Sequence, residues 1–194
     1  MSCCDDQETI SDEYVHTETG DGDLLTYYFH GYVTGDRVAK LIETVTFWDS
    51  EYPESSWEII ICSEGGELNP GTALYSTLRR FSIRGGGSHH ITTRVAGQAA
   101  SIAALILQAG DHRVMGPLDF LMIHEPMCSH IDETSDSIRH QVEHIDMWEQ
   151  NFLKLLAERS TESDVTKIWN TYRGRDWWIR AEVARDWGFV DEIR

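Results

Sequence analysis

Three side chains in this sequence, Ser101, His124 and Asp176, have the types and the order needed for nucleophilic attack on a carbonyl. A serine hydroxyl is a weak nucleophile until a neighbouring base takes its proton, and that base works best when a third group fixes its tautomer. Ser101 follows the small-residue stretch Gly97-Gln98-Ala99-Ala100 and precedes the apolar run Ile102-Ala103-Ala104-Leu105-Ile106-Leu107. That pattern reads as a strand, a tight turn and a buried helix with the hydroxyl in its first turn, where free backbone N–H groups favour negative charge. The same pattern also fits a serine that merely caps a helix in an α/β core. His124 closes an apolar stretch and precedes Pro126, so it belongs at a strand end, on the rim where strand ends gather. Asp176 lies in a short loop between two expected helices. The glycine pair Gly65-Gly66, directly after an apolar strand, supplies backbone N–H groups to the same rim.

Those residues need a scaffold, and the hydrophobic spacing supplies one. Leu24 to Phe29, Trp57 to Cys62, Ile91 to Ala96, Arg113 to Met115, Phe120 to Ile123 and Phe189 to Ile193 read as strands. Between them, helical periodicity runs from Asp36 to Trp48, from Asn69 and Pro70 through Leu78, and through the Ser101 segment. A long amphipathic helix is expected from about Asp132 to Glu158, a shorter one from Asp164 to Tyr172, and another through Glu182 to Trp187. Arg84 to Ser88 reads as a loop with His89 and His90 at its surface, and Trp177-Trp178 as packing residues. Strands alternating with helices predict an α/β fold with a largely parallel sheet.

A chain of 194 residues suits one domain, and a formal net charge of −17 disfavours nucleic acid and anionic membranes as partners. No apolar run has membrane-spanning length, and the acidic opening Met1 to Asp6 lacks a signal-peptide core, so the expected localisation is cytoplasmic. Residues 1–22 form a polar, acidic lead expected to be partly disordered, and residues 23–194 form the folded domain. Cys3, Cys4, Cys62 and Cys128 have no zinc-binding spacing and read as free thiols.

The ordered blocks Ser63-x-Gly65-Gly66, Gly97-Gln98-Ala99-Ala100-Ser101, Met122-Ile123-His124-x-Pro126, Arg175-Asp176 and Ala181-x-x-Ala184-x-x-Trp187-Gly188-Phe189-Val190-Asp191 resemble the Clp protease proteolytic subunit, a serine peptidase of the crotonase-like superfamily. The resemblance covers about Leu24 to Arg194. It implies repeated ββα units with a protruding handle helix, here the long helix. It implies Ser101 as nucleophile, His124 as base and Asp176 as its orienting partner. Backbone N–H groups of Gly66 and Ile102 would form the oxyanion hole. It further implies a serine endopeptidase acting on peptides and unfolded proteins inside a homo-oligomeric ring, a heptamer or double heptamer, served by an ATP-dependent unfoldase. No metal or other cofactor is expected. The sequence departs from the family in three places: Met127 to Glu133 lacks the usual glycine-rich strand, residues 1–23 do not resemble its axial-loop segment, and the sequence stops soon after Ile193.

Two other functions compete. One is a non-catalytic or regulatory ring subunit, and the other is a coenzyme-A enzyme of the same superfamily, which uses an oxyanion hole without a serine triad. The presence of all three triad residue types argues against both. His140-Gln141-Val142-Glu143-His144 matches an inverted zinc-peptidase pattern, but a third ligand is not evident, and the solvated face of a helix explains it more simply.

Overall fold

The computed structural model describes residues 14–19, 22–127 and 134–194. The expectations for Cys3, Cys4, Cys128 and residues 128–133 lie outside that set. The strands are β1 (Tyr14–Thr19), β2 (Gly22–His30), β3 (Ser56–Ser63), β4 (Ile91–Ala100), β5 (His112–Met115), β6 (Phe120–Ile123), β7 (Trp177–Arg180) and β8 (Glu192–Ile193). The helices are α1 (Gly35–Glu51), α2 (Leu68–Phe81), α3 (Ile102–Leu107), α4 (Ser135–Arg159), α5 (Val165–Tyr172) and α6 (Ala181–Asp186).

The strands form one sheet in the order β1-β2-β3-β4-β5-β8, with β6 paired to β4 and to β7. All pairings are parallel except β1 with β2 and β6 with β7. β4 therefore serves two neighbours in turn. Thr92 to Val95 pair with β5, and Gln98 to Ala100 pair with β6. The switch falls where the register against β3 slips, from Ile61 opposite Val95 to Ser63 opposite Ala99. Extra residues on one strand make a bulge, which bends the strand and re-aims its far end. Here that far end leads directly into Ser101.

The core lies between the sheet and its helices. On β3, Trp57, Ile59, Ile61 and Ser63 are buried while their neighbours are half-buried. Trp57 packs edge-on against Trp48 of α1 at 5.7 Å and against Phe81 of α2 at 5.3 Å. All six residues of α3 are buried, as an all-apolar helix requires. Each such Leu or Ile contributes about 1.5–3 kcal/mol by leaving water. Among the described residues, no helix is long and apolar enough to cross a membrane.

The structure departs from the sequence-based expectations at several points. A strand that the sequence alone does not predict, Tyr14 to Thr19, pairs antiparallel with β2. α2 begins at Leu68, with Glu67 at the cap position and making no side-chain cap, so Asn69 and Pro70 lie inside the first turn. Trp177 to Arg180 form a strand where loop and helix were expected. His89 is fully buried, although His90 beside it is exposed. The His89 ring stacks on Trp57 at 4.0 Å, its Nδ1–H donates to the Ser55 carbonyl (2.8 Å), and Nε2 lies 3.1 Å from Asp49 Oδ1. Satisfied ring nitrogens and an aromatic partner offset the cost of that burial.

Candidate active site

β4 extends through Ala100, so the turn before α3 is a single residue. Ser101 has φ 57° and ψ −126°, and among the described residues it is the one non-glycine with positive φ. Such a conformation costs about 1–3 kcal/mol and persists only where its surroundings impose it. Three contacts impose it here. The Ser101 N–H donates to the Met122 carbonyl (2.8 Å), its C=O accepts from Ala104 N–H (3.0 Å), and α3 is locked in the core. The hydroxyl makes no capping bond to the helix.

Instead the hydroxyl meets His124. Ser101 Oγ and His124 Nε2 are 2.8 Å apart, and both residues are half-buried. Strand register closes the sequence gap between them: Ala100 pairs with Met122, so Ser101 and His124 leave their strands at the same end of the sheet. With the ring proton on Nδ1, Nε2 accepts from the hydroxyl, which is the arrangement of a base poised on a nucleophile.

The glycine turn packs on the same serine. Gly65 has φ +97°, and a Cβ there would stand 2.6 Å from Ser101 Cβ and 3.2 Å from its Oγ. Gly66 has φ +150°, and a Cβ on it would meet the Val33 carbonyl oxygen at 2.3 Å. Only glycine fits either position. Buried Ser63 holds the turn, its Oγ accepting from Gly65 N–H at 3.1 Å. Val33 donates to the Gly65 carbonyl and accepts from Glu67 N–H, both at 2.8 Å. That pairing turns the Gly66 N–H away from Val33. Neither it nor the N–H of Ile102, first in α3, has an acceptor among the described residues. Among the described residues these two amides are therefore donors without an acceptor, one directly after the serine and one in the glycine turn that packs on it.

Asp176 is placed differently. It ends the turn between α5 and β7, and it is exposed. Ile123 pairs with Trp177 in the antiparallel β6–β7 ladder, so the next position in register sets His124 opposite Asp176. Their side chains are not hydrogen-bonded to each other. The structure thus joins serine to histidine and sets the aspartate opposite the histidine in strand register, with no bond between them.

Four further residues shape the site without a signature that spacing alone reveals. Asp119 accepts from Gly97 N–H (2.8 Å) and from Gly116 N–H (2.7 Å), which pins the β4 bulge to the β5–β6 turn. Trp148 stacks on Phe152 at 5.4 Å and donates its indole N–H to Thr72 Oγ1 at 3.0 Å. With Leu68, Ile102, Ile123 and Pro126, this pair walls a cleft beside Ser101 and His124. The cleft holds about 10 Å³, roughly the room one water needs. Glu125, next to His124, accepts from Gly174 N–H at 3.0 Å. A larger groove of about 1080 Å³ opens past Gly66, between Tyr32 and Leu68 on one side and His140 and His144 of α4 on the other. Among the described residues, no group of three His, Cys, Asp or Glu side chains gathers as a metal site.

Comparison with known proteins identifies the family. The family model for Clp protease matches residues 28–194. The ATP-dependent Clp protease proteolytic subunit of Bacteroides thetaiotaomicron is 30% identical over 168 residues, covering 85% of this chain and 72% of that protein.

Proposed function

Because this chain belongs to the Clp protease family, we propose that it is a serine endopeptidase that cleaves peptides and unfolded proteins through an acyl-enzyme. Ser101 Oγ attacks the scissile carbonyl while His124 Nε2 takes its proton. The N–H groups of Gly66 and Ile102 receive the developing oxyanion. The histidine then returns the proton to the leaving amine, and water repeats the sequence on the ester. Asp176, once on His124 Nδ1, holds the tautomer that keeps Nε2 free to accept. The observation that carries this reading is the 2.8 Å approach of Ser101 Oγ to His124 Nε2 at a strained turn. The chemistry needs no metal or cofactor.

The same reading places the chain in a cytoplasmic homo-oligomeric ring of seven, single or stacked, with α4 as its handle and an ATP-dependent unfoldase as a partner. Ile138, Val142 and Met147 of α4 support assembly, since they are 47%, 49% and 58% exposed in the single chain. A second reading, a non-catalytic ring subunit, draws on the exposed position of Asp176. A fluorophosphonate probe with intact-mass detection separates the two. The peptidase reading expects one adduct per chain on Ser101, and loss of both adduct and peptide hydrolysis in Ser101→Ala. A wild-type protein that takes no label and cleaves no peptide is the non-catalytic subunit.

A further inference from the structure

The turn that carries Asp176 is held from two sides. From α5, the Trp169 carbonyl accepts from Arg173 N–H (2.9 Å), the Tyr172 carbonyl from Arg175 N–H (3.0 Å), and the Thr171 carbonyl from Arg175 Nε (2.7 Å). From the other side comes Glu125, whose Oε2 accepts from Gly174 N–H at 3.0 Å. Glu125 follows His124 in sequence, and Gly174 stands two residues before Asp176. One charge-assisted hydrogen bond therefore ties the proposed base's segment to the segment that carries its orienting partner.

The bond itself is exposed, and the Glu125 side chain sits among acidic and phenolic groups. It is half-buried beside Glu149 and Tyr172. Tyr172 donates its hydroxyl to Glu149 Oε1 at 2.9 Å. Burial pushes the Glu149 carboxyl above its usual range, and the charge of Glu125 adds to the rise. Burial also raises the Tyr172 phenol, with Glu149 and then Glu125 contributing. The Gly174 amide is the donor that the structure gives this carboxylate.

We propose that Glu125 is a positioning residue: by holding the Gly174 amide it fixes the 173–176 turn at the edge of His124, and so sets whether Asp176 reaches the imidazole. The inference rests on the peptidase reading, in which Asp176 serves His124. Register sets His124 and Asp176 opposite each other, so the position of the turn decides whether the aspartate side chain can meet the imidazole. A turn released from Glu125 drifts on its α5 side, and a displacement of about 1 Å at a catalytic group costs on the order of 10²-fold at the extreme.

The test is a double-mutant cycle on the full chain, read with a short fluorogenic peptide and with the rate of fluorophosphonate labelling. Glu125→Ala should lower kcat about tenfold with KM unchanged, and should slow labelling in parallel. Glu125→Gln, whose amide oxygen accepts the same bond, should recover most of the rate. In an Asp176→Asn background, Glu125→Ala should cost nothing further, because its effect runs through Asp176. Three results overturn the inference: an unchanged kcat in Glu125→Ala, a Gln variant as slow as the Ala variant, or independent losses that multiply in the double variant. The Gln comparison also decides the matter if the Ala variant melts early. Wild-type protein that neither labels nor cleaves overturns the peptidase reading, and the positioning role with it. Wild-type activity with a silent Glu125 overturns the positioning role alone.

Discussion

Ser101 Oγ and His124 Nε2 stand 2.8 Å apart because the β4–β6 ladder delivers both residues to one end of the sheet, and Ser101 accepts φ 57° to be there. The strain belongs to the backbone, so it is separable from the hydroxyl. Ser101→Ala keeps the strain and loses the nucleophile. Ser101→Gly loses both, since glycine adopts positive φ freely. Relief of about 1–3 kcal/mol, less about 0.5–1 kcal/mol for the looser unfolded chain, should leave the glycine variant more stable than the alanine variant by about 1 kcal/mol, in a range of roughly 0–2.5 kcal/mol. Denaturant melts of the two inactive proteins measure this. Equal stability would mean that the elbow stores no strain.

The cleft walled by Trp148 and Phe152 bears on which substrates fit. We take the residue that donates the scissile carbonyl to place its side chain in that cleft, because Ser101 and His124 themselves line it. With about 10 Å³ free and Trp148 anchored on Thr72, a small side chain such as alanine should be accepted there more readily than leucine or phenylalanine. Wild-type protein should prefer peptides with alanine before the cut. Trp148→Ala should shift the kcat/KM ratio toward leucine by about tenfold or more, the scale at which pockets discriminate a few methylenes. Peptides varied at that single position give the ratio directly. An unshifted preference in Trp148→Ala removes the indole from any role in specificity.

The residues of the serine–histidine contact are legible in the sequence because a small-residue turn before a buried run, and a histidine at a strand end before proline, are local patterns. The glycine pair is legible for the same reason. The features that spacing leaves hidden depend on contacts between distant segments. His89 reads as surface because it adjoins glycines, and only the fold supplies Trp57, Asp49 and the Ser55 carbonyl to bury it. β7 is four residues with two tryptophans, too short for a period, and exists because β6 offers it an edge. Asp119 carries no motif, yet it pins the bulge that re-aims β4. The parallel α/β architecture follows from alternation of elements, whereas the division of β4 between β5 and β6 follows from a register slip.

Acid should test the ion cluster near the end of the chain. Arg113 is 3% exposed and binds Asp191 through Nε (3.0 Å) and Nη2 (2.6 Å), while its Nη1 donates to Gln108. Burial alone would raise the Asp191 carboxyl. The bonds and charge of Arg113, with the charge of Arg159, outweigh it and hold the carboxyl below its usual range. A depressed carboxylate contributes its full stability above the unfolded value of about 3.9, and loses it as pH falls through the lower folded value. Asp191→Asn leaves Arg113 buried without its charge partner. Allowing for the one-third exposure of Asp191, the cost should be about 2 kcal/mol at neutral pH. The gap from wild type should stay constant down to about pH 4 and close only below it. A gap that closes between pH 7 and 5 would assign the coupling to another group.

Charge and enclosure together predict which substrates the isolated protein cuts. In the ring reading, Ser101 faces a chamber entered through narrow pores, and a folded domain must first lose several kcal/mol of stability to pass. The sequence has no G-x-x-x-x-G-K-[ST] stretch with which to drive unfolding by nucleotide hydrolysis. Short peptides and unstructured chains should therefore be cleaved without an added ATPase, while a stable folded protein survives. A formal charge of −17 per chain, repeated around a ring, attracts basic peptides and repels acidic ones over about 8–10 Å at physiological salt. In a peptide series matched in length and cleavage residue, kcat/KM should rise with positive charge, and the slope should flatten as salt increases. Native mass measurement at micromolar concentration belongs beside the assay, because a monomer has no chamber. Rapid digestion of the folded protein, or a charge preference indifferent to salt, would put Ser101 on an open surface instead.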